Sequence, residues 1–459
     1  MTIALLVALQ AQPAIAGKRR LVEAPPIEDV AAELAGKAQT SARGWELLVE
    51  LCDDIGHRLA GSEGLDKAIE LTAQRMREGG LDVRTEPIEV PVWIRGTEEL
   101  RLVAPYEKTL PILALGGSVS TPEEGLRAEV LVVRSFDELE ERSDEAEGKI
   151  VLYDVPFTTY GETVRYRWAG AIEAAKLGAV ASLVRSVTPV SLATPHTGTM
   201  GYEDGVEKIP SVAVTVEDAA MMGRMADRGQ TLEVEMRVHT ETRPDVMSAN
   251  VIGEVLGREK PEEIVVVGCH LDSWDVGQGA QDDGVGCIMA MEAARLIGSL
   301  EVAPRRTVRA VLYTNEENGL RGGKGYAEAH ADEPHVAAIE ADIGGGPNAG
   351  FSMKIAGEGE EQAAEFQRVH DLLSPYLPLL QPFSGAGLRE GGAGADISPL
   401  VDAGTVGFGL DLDRTGYWPV HHTRADTIEK IDPMVLRDNI TTMALWAYVL
   451  AEVDGLNAP

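Results

Sequence analysis

The sequence predicts an α/β protein: a central mixed sheet flanked by helices, with a second α/β unit inserted into it. Three observations carry this. From Ser248 onwards, apolar β-branched runs alternate with helical segments, the pattern of a layered α/β sheet. The strands expected there end on polar clusters, where ligand sites lie in such sheets: His270 and Asp272, then Asn315, Glu316 and Glu317, then Asp342. Between about Thr97 and Thr240 the strands are shorter and no histidine meets a cluster of acids, so that stretch reads as a non-catalytic unit that shapes or covers a site elsewhere.

The bulk properties agree. At 459 residues the chain exceeds one ordinary domain. An apolar content of 44% sustains packed cores. A net charge of −33, from 41 basic and 74 acidic residues, argues against a nucleic-acid partner, because phosphate contacts need clustered Lys and Arg. Cys52, Cys269 and Cys287 form no CxxC, which argues against a disulfide framework and against a thiolate zinc site. Cys269 reads as a small buried strand residue, since neighbours on a strand point to opposite faces.

In chain order, residues 1–26 read as a signal-like or extended N-terminus. An apolar core and an Ala14-Ile-Ala16 site are present, but the positively charged start is missing. That core is too short to span a membrane. Export is the expectation if the segment is a signal, and the cytoplasm otherwise. Helices are expected over 27–37 and 44–55, broken at Gly56–Ser62, where His57 reads as a surface or packing residue. Leu65, Ala68, Ile69, Thr72 and Met76 share one face of a further helix, which Gly79-Gly80 ends. Residues 83–93 alternate as one or two strands. The inserted unit offers strands over 128–133, 148–153, 179–184 and 211–216, and an Ala-rich helix over 171–177; His196 and His239 are isolated and receive no role. Strands over 250–254, 264–269, 307–314 and 337–342 then alternate with helices over 284–297 and 322–330.

The chemistry lies at those later strand ends. His270 supplies an imidazole; Asp282 or Asp283, Glu316 or Glu317, and Asp342 supply carboxylates; the late His421-His422 pair supplies another imidazole. Such a donor set suits a pair of zinc ions. Two metals would polarise a carbonyl and bring a water's pKa towards neutrality, and the remaining acid could act as general base. Each piece alone has a plainer reading: Glu-Glu opens helices, Asp-Asp-Gly makes turns, and a His-His pair is usually structural. Five pieces in order, each after a strand or in a Gly-rich loop, argue for a site.

The motifs HLDSWDVGQGAQDDGVG (270–286), TNEENGLRGG (314–323), IEADIGG (339–345) and HHTRADT (421–427) resemble the M28 family of co-catalytic zinc peptidases, and within it the carboxypeptidase Q branch. Gly391–Pro399 and Ile55–Ser62 resemble that branch too, so the likeness covers nearly the whole chain. It implies a phosphorylase/hydrolase-like zinc exopeptidase domain formed by 27–96 and 245–459, with 97–244 as a protease-associated insertion. It also implies two zinc ions per chain. His270, Asp282, Glu317, Asp342 and His422 would be the ligands, with Asp282 as the bridge and Glu316 as the general base. Asp272 would orient His270 from the second sphere, Asp283 would stand beside it, and the Asp282–Asp283 bond would be cis. His421, Tyr417 and Asp396 are the candidates for substrate contact, with His421 free to bond substrate or Asp426. Gln281 stands where relatives often carry Met or Asn, a change expected to alter packing rather than ligation. The implied partner is a peptide substrate, with no nucleic acid, no membrane span, and a homodimer as the expected assembly. The reaction implied is hydrolysis of dipeptides or short peptides. An aminopeptidase of the same family is the nearest alternative. A receptor-like binding protein on this fold would have lost metal ligands, and this chain keeps them.

Overall fold

The computed structural model describes residues 25–456, so residues 1–24 of the signal-like segment lie outside it. Among the described residues no helix is long and apolar enough to cross a membrane.

The architecture is a large mixed α/β sheet flanked by helices. One half of it runs Gly387–Glu390, Asn348–Lys354, Val406–Leu412, His335–Glu340, Lys260–His270, Arg306–Tyr313, Glu233–Val255. Lys260–His270 is central, parallel to Arg306–Tyr313 on one side and His335–Glu340 on the other. Its alternate side chains feed two cores, as a pleated strand buried on both faces requires. Val265, Val267 and Cys269 join the core under helices Val285–Gly298 and Pro433–Glu452. Ile264 and Val266 join the core under Arg321–Ala329 and Ser398–Asp402. The three N-terminal helical segments, Ile27–Gln39, Arg43–Val49 and Glu63–Glu78, pack on the first of these faces. The expected 44–55 helix is α-helical only to Val49 and continues as a wider π turn over Glu50–Ile55.

Strands Asp82–Ala104 and Glu233–Val255, each of 23 residues, pair antiparallel along their length and join the two halves of the molecule. Only their ends were legible as 83–93 and 250–254. Register shifts at Val90/Val92 and Arg95/Glu98 interrupt the alternation, and the middle of the second strand is exposed and polar. Beyond this ribbon lie the parallel strands Leu126–Val133, Ile150–Tyr153, Ala181–Arg185 and Ser211–Val214, with Ile112–Ala114 antiparallel at the edge. Helices Tyr160–Lys176 and Val216–Ala226 cover them over separate apolar clusters. The first of these helices begins well before the Ala-rich 171–177 stretch, at a Thr159 cap whose hydroxyl accepts from Glu162 N.

The cysteine expectation is corrected. Cys269 and Cys287, 18 residues apart, form a disulfide across a Cα–Cα distance of 5.1 Å, while Cys52 is free and buried. The spacing hid it, because the chain leaves the strand, circles the ligand loop and returns as helix Val285–Gly298 directly behind its own starting point.

Candidate metal centre

His270 is the last residue of the central strand, and the sheet ladder fixes it: Cys269 pairs with Leu312 and His270 with Tyr313. Asp282 and Asp283 sit where the loop turns into helix Val285–Gly298, joined by a cis peptide bond. Glu316 and Glu317 follow strand Arg306–Tyr313, and Asp342 follows His335–Glu340. His421 and His422 come from a turn well beyond strand Val406–Leu412. Asn315 and His422 have φ of 72° and 59°, left-handed conformations that non-glycine residues rarely adopt and that cluster at functional sites.

These residues converge. His270 Nε2 lies 3.3 Å from Asp282 Oδ1 and 3.3 Å from Asp342 Oδ1. His422 Nε2 lies 3.2 Å from Asp282 Oδ2 and 3.0 Å from Glu317 Oε2. Asp282 thus turns one oxygen to each imidazole. Two donors sharing a tetrahedral ion at the usual zinc distances would stand about 3.4 Å apart, close to these separations. Asp282 Oδ2 and Glu317 Oε1 are buried with no hydrogen-bond donor aligned on them. The donor chemistry therefore fits metal ions.

Electrostatics lead the same way. Burial, reinforced by Asp342 and Glu317, pushes the Glu316 carboxyl well above the usual range. Burial and neighbouring Asp282 push Glu317 up to about 7. Burial also raises Asp342. Burial works against the charge of Asp282, yet His270 and His422 hold its carboxyl well below the usual range. So much buried negative charge is tolerated only when paired or bound to metal.

The surroundings fix these groups. His270 Nδ1 is 3.0 Å from the backbone carbonyl of Asp272 and 3.8 Å from its carboxylate. The expected orienting contact is therefore made by the main chain. The Asp272 carboxylate instead accepts from Glu316 N and Glu317 N at 3.0 and 3.3 Å, tying two strand ends together. Asp283 accepts from His270 N and Gly286 N. A Cβ at Gly286 would strike the Ala341 carbonyl and the Asp283 carboxylate, so only glycine lets the helix start this close. Gln281 does more than pack: its Oε1 accepts from Gly345 N at 2.7 Å and its Nε2 donates to the Lys430 carbonyl.

Of the substrate candidates, Tyr417 and His421 line a cavity of about 630 Å³ that also reaches Asp282, Glu316, Glu317, Asp342 and His422. His421 stacks on His422 at 3.6 Å. Asp426 does not bond it, because its carboxylate is taken by Gln281 N and Asp282 N. Asp396 is corrected: it is 1% exposed beneath the cavity floor, and Ala395 lines the cavity in its place.

Sequence reasoning missed several supports. Arg58, fully buried, donates to the carbonyls of Gly56, Leu271, Gln278 and Gly279 and so splints the ligand loop. Gly279, at φ 60°, leaves the room that Arg58 needs. From the helix-and-strand unit beyond the ribbon come Tyr160, Arg167, Trp168, Thr199 and Met200 in the cavity wall. That unit also brings the Thr197 carbonyl, 3.3 Å from His422 Nδ1. A lone basic residue in a loop or an amphipathic helix carries no signal of such a role.

Two imidazoles and a spread of carboxylates at the ends of an α/β sheet, opening on a cavity with a spare glutamate, define a metal-dependent hydrolase. The model of peptidase family M28 matches residues 250–447. Carboxypeptidase Q of Xenopus laevis is 44% identical over 92% of this chain and 88% of its own length. A solved Peptidase M28 precursor from Shewanella amazonensis superimposes with a TM-score of 0.88 at 34% identity, over 94% of this chain and 98% of that one. Aminopeptidase YwaD of Bacillus subtilis is more distant, 26% identical over 92% of this chain and 87% of its own length. The chain belongs to peptidase family M28 and is a metallo-exopeptidase.

Proposed function

We propose that the protein hydrolyses dipeptides or short peptides at a site holding two zinc ions. The observation that carries this is the placement of Asp282, with Oδ1 towards His270 and Oδ2 towards His422, each imidazole faced by a further carboxylate, Asp342 or Glu317. In that arrangement His270 and Asp342 would hold one ion, His422 and Glu317 would hold the other, and Asp282 would serve both. When bound, the ions supply charge that polarises the scissile carbonyl and makes a water acidic enough to attack near neutral pH. Glu316 lines the same cavity, has no assigned ligand duty, and takes the proton of the attacking water before returning it to the leaving amine. Asp272 keeps Glu316 in place through its backbone N–H.

Short substrates fit the enclosure. Tyr160 stacks on Trp418 at 5.2 Å, so an aromatic wall from the 97–244 unit meets one from the other half across the cavity. This supports reading 97–244 as the protease-associated insertion, acting as a cover. Carboxypeptidase rather than aminopeptidase action is favoured by the higher identity to carboxypeptidase Q. The Cys269–Cys287 disulfide supports export to an oxidising compartment. A homodimer stays an expectation for sedimentation analysis.

The test is Glu316→Gln, which keeps the shape and removes the base. Dipeptide turnover should fall by ~10²–10⁴-fold while metal analysis still finds zinc on the protein. Near-normal turnover in that variant would remove Glu316 from the mechanism.

A further inference from the structure

The cavity described above has an uneven charge distribution once its acids are accounted for. Asp282, Glu316, Glu317 and Asp342 are its acidic lining, and each is engaged in ion binding or proton transfer. The other charged residues on its wall are Arg167, Lys324 and Arg414. Among the described lining residues no carboxylate is left to hold a substrate ammonium group. In a chain of net charge −33 this runs against the composition.

The three cations differ in availability. Arg167 is buried, and its guanidinium donates to the Thr197 carbonyl at 3.2 Å and to Tyr160 Oη at 3.0 Å. It is part of the wall. Lys324, exposed in the first turns of helix Arg321–Ala329, donates only to the Gly319 carbonyl at 3.3 Å. Arg414 is exposed just past strand Val406–Leu412. The nearby Asp411 is occupied by Arg389, which grips it through Nε and Nη2 at 2.7 Å each. Among the described residues neither Lys324 nor Arg414 forms an ion pair, though both border a cavity rich in acid.

We propose that Lys324 and Arg414 receive the free carboxylate of the substrate and so make this site read the C-terminus of a short peptide. This rests on the exopeptidase reading above and names the residues behind the carboxypeptidase polarity favoured there. With the acids engaged, the charged groups left on the exposed wall for a substrate terminus are Lys324 and Arg414, and both match a carboxylate. A guanidinium offers paired N–H donors matched to that group, and the lysine adds a point charge from a different element of the same cavity wall. An aminopeptidase subsite would need the reverse, an unengaged acid for the ammonium.

The experiment compares one dipeptide, its C-terminal amide and its N-acetyl form on the zinc-loaded full chain. Charge-assisted hydrogen bonds of this kind are worth about 10- to 100-fold in kcat/KM, so amidation should lower wild-type kcat/KM by that factor. In Lys324→Gln/Arg414→Gln the KM for the free dipeptide should rise, and the acid-over-amide preference should collapse towards one. The charge-keeping pair Lys324→Arg/Arg414→Lys should restore most of it. A wild type indifferent to amidation, or a double Gln variant that keeps the preference, overturns the carboxylate site alone. Hydrolysis of none of the three peptides by the wild type overturns the exopeptidase reading and the carboxylate site with it.

Discussion

The two halves of the metal centre are built by different means. His270 stands at the end of a central strand, with ladder partners on both sides of that strand and a disulfide at the preceding residue. His422 stands in a turn at φ 59°, and its Nδ1 faces a carbonyl from the unit beyond the ribbon, that of Thr197, whose own N–H donates to the His422 carbonyl at 3.0 Å. One half is thus set by the sheet, while the other depends on how two units of the chain dock. Asp282 turns one carboxylate oxygen to each imidazole, so a change there reaches both halves at once.

Asp282→Ala should separate the halves and leave each imidazole with a single carboxylate. We expect both ions to bind weakly and turnover to fall by more than the ~10- to 100-fold that supporting residues are worth. Zinc analysis after dialysis, together with dipeptide turnover, checks this. Two tightly held ions and substantial activity would mean that Asp282 is not a bridge.

Arg167→Met should injure one half selectively. The guanidinium supports the Thr197 carbonyl that faces His422, and methionine keeps the apolar stem while removing the donors. The expected outcome is a ~10-fold loss of zinc affinity at one of two positions, seen as one ion per chain at limiting zinc. Equal loss at both positions would show that the halves are not independent.

The same contrast explains how much of this was legible in the sequence. The strand-borne donors were readable because a β-branched run followed by a polar residue announces both the strand and its end, as at Val265–His270 and Val311–Glu316. The His421-His422 pair was legible as a source of imidazole, but the choice of His422 came only through the resemblance of its motif, since its position depends on docking that no local pattern encodes. The carboxylate of Asp272 was assigned to His270 through the resemblance. In the fold the main-chain carbonyl is nearer, and the carboxylate turns to the N–H groups of Glu316 and Glu317, 44 and 45 positions away. Asp396 was a substrate candidate in the Gly391–Pro399 segment that resembles the branch, but that loop turns its side chain inwards. Arg58 gave no signal because its partners are backbone carbonyls, which every residue type supplies.

The smallest expected effect on activity comes from the sturdier half. Cys287→Ala removes the covalent link behind His270, and closing a loop of this size is worth ~3 kcal/mol through the unfolded chain. The link does not set the imidazole's position, however, because Val267 and Gly268 pair with Ile339 and Glu340 on one side while Cys269 pairs with Leu312 on the other. A lowered Tm with retained zinc content and turnover is therefore the expected result, measured by thermal melting and the dipeptide assay. Loss of one ion on cutting this link would show that the strand-borne half also relies on a support outside the sheet, and would erase the contrast between the two halves.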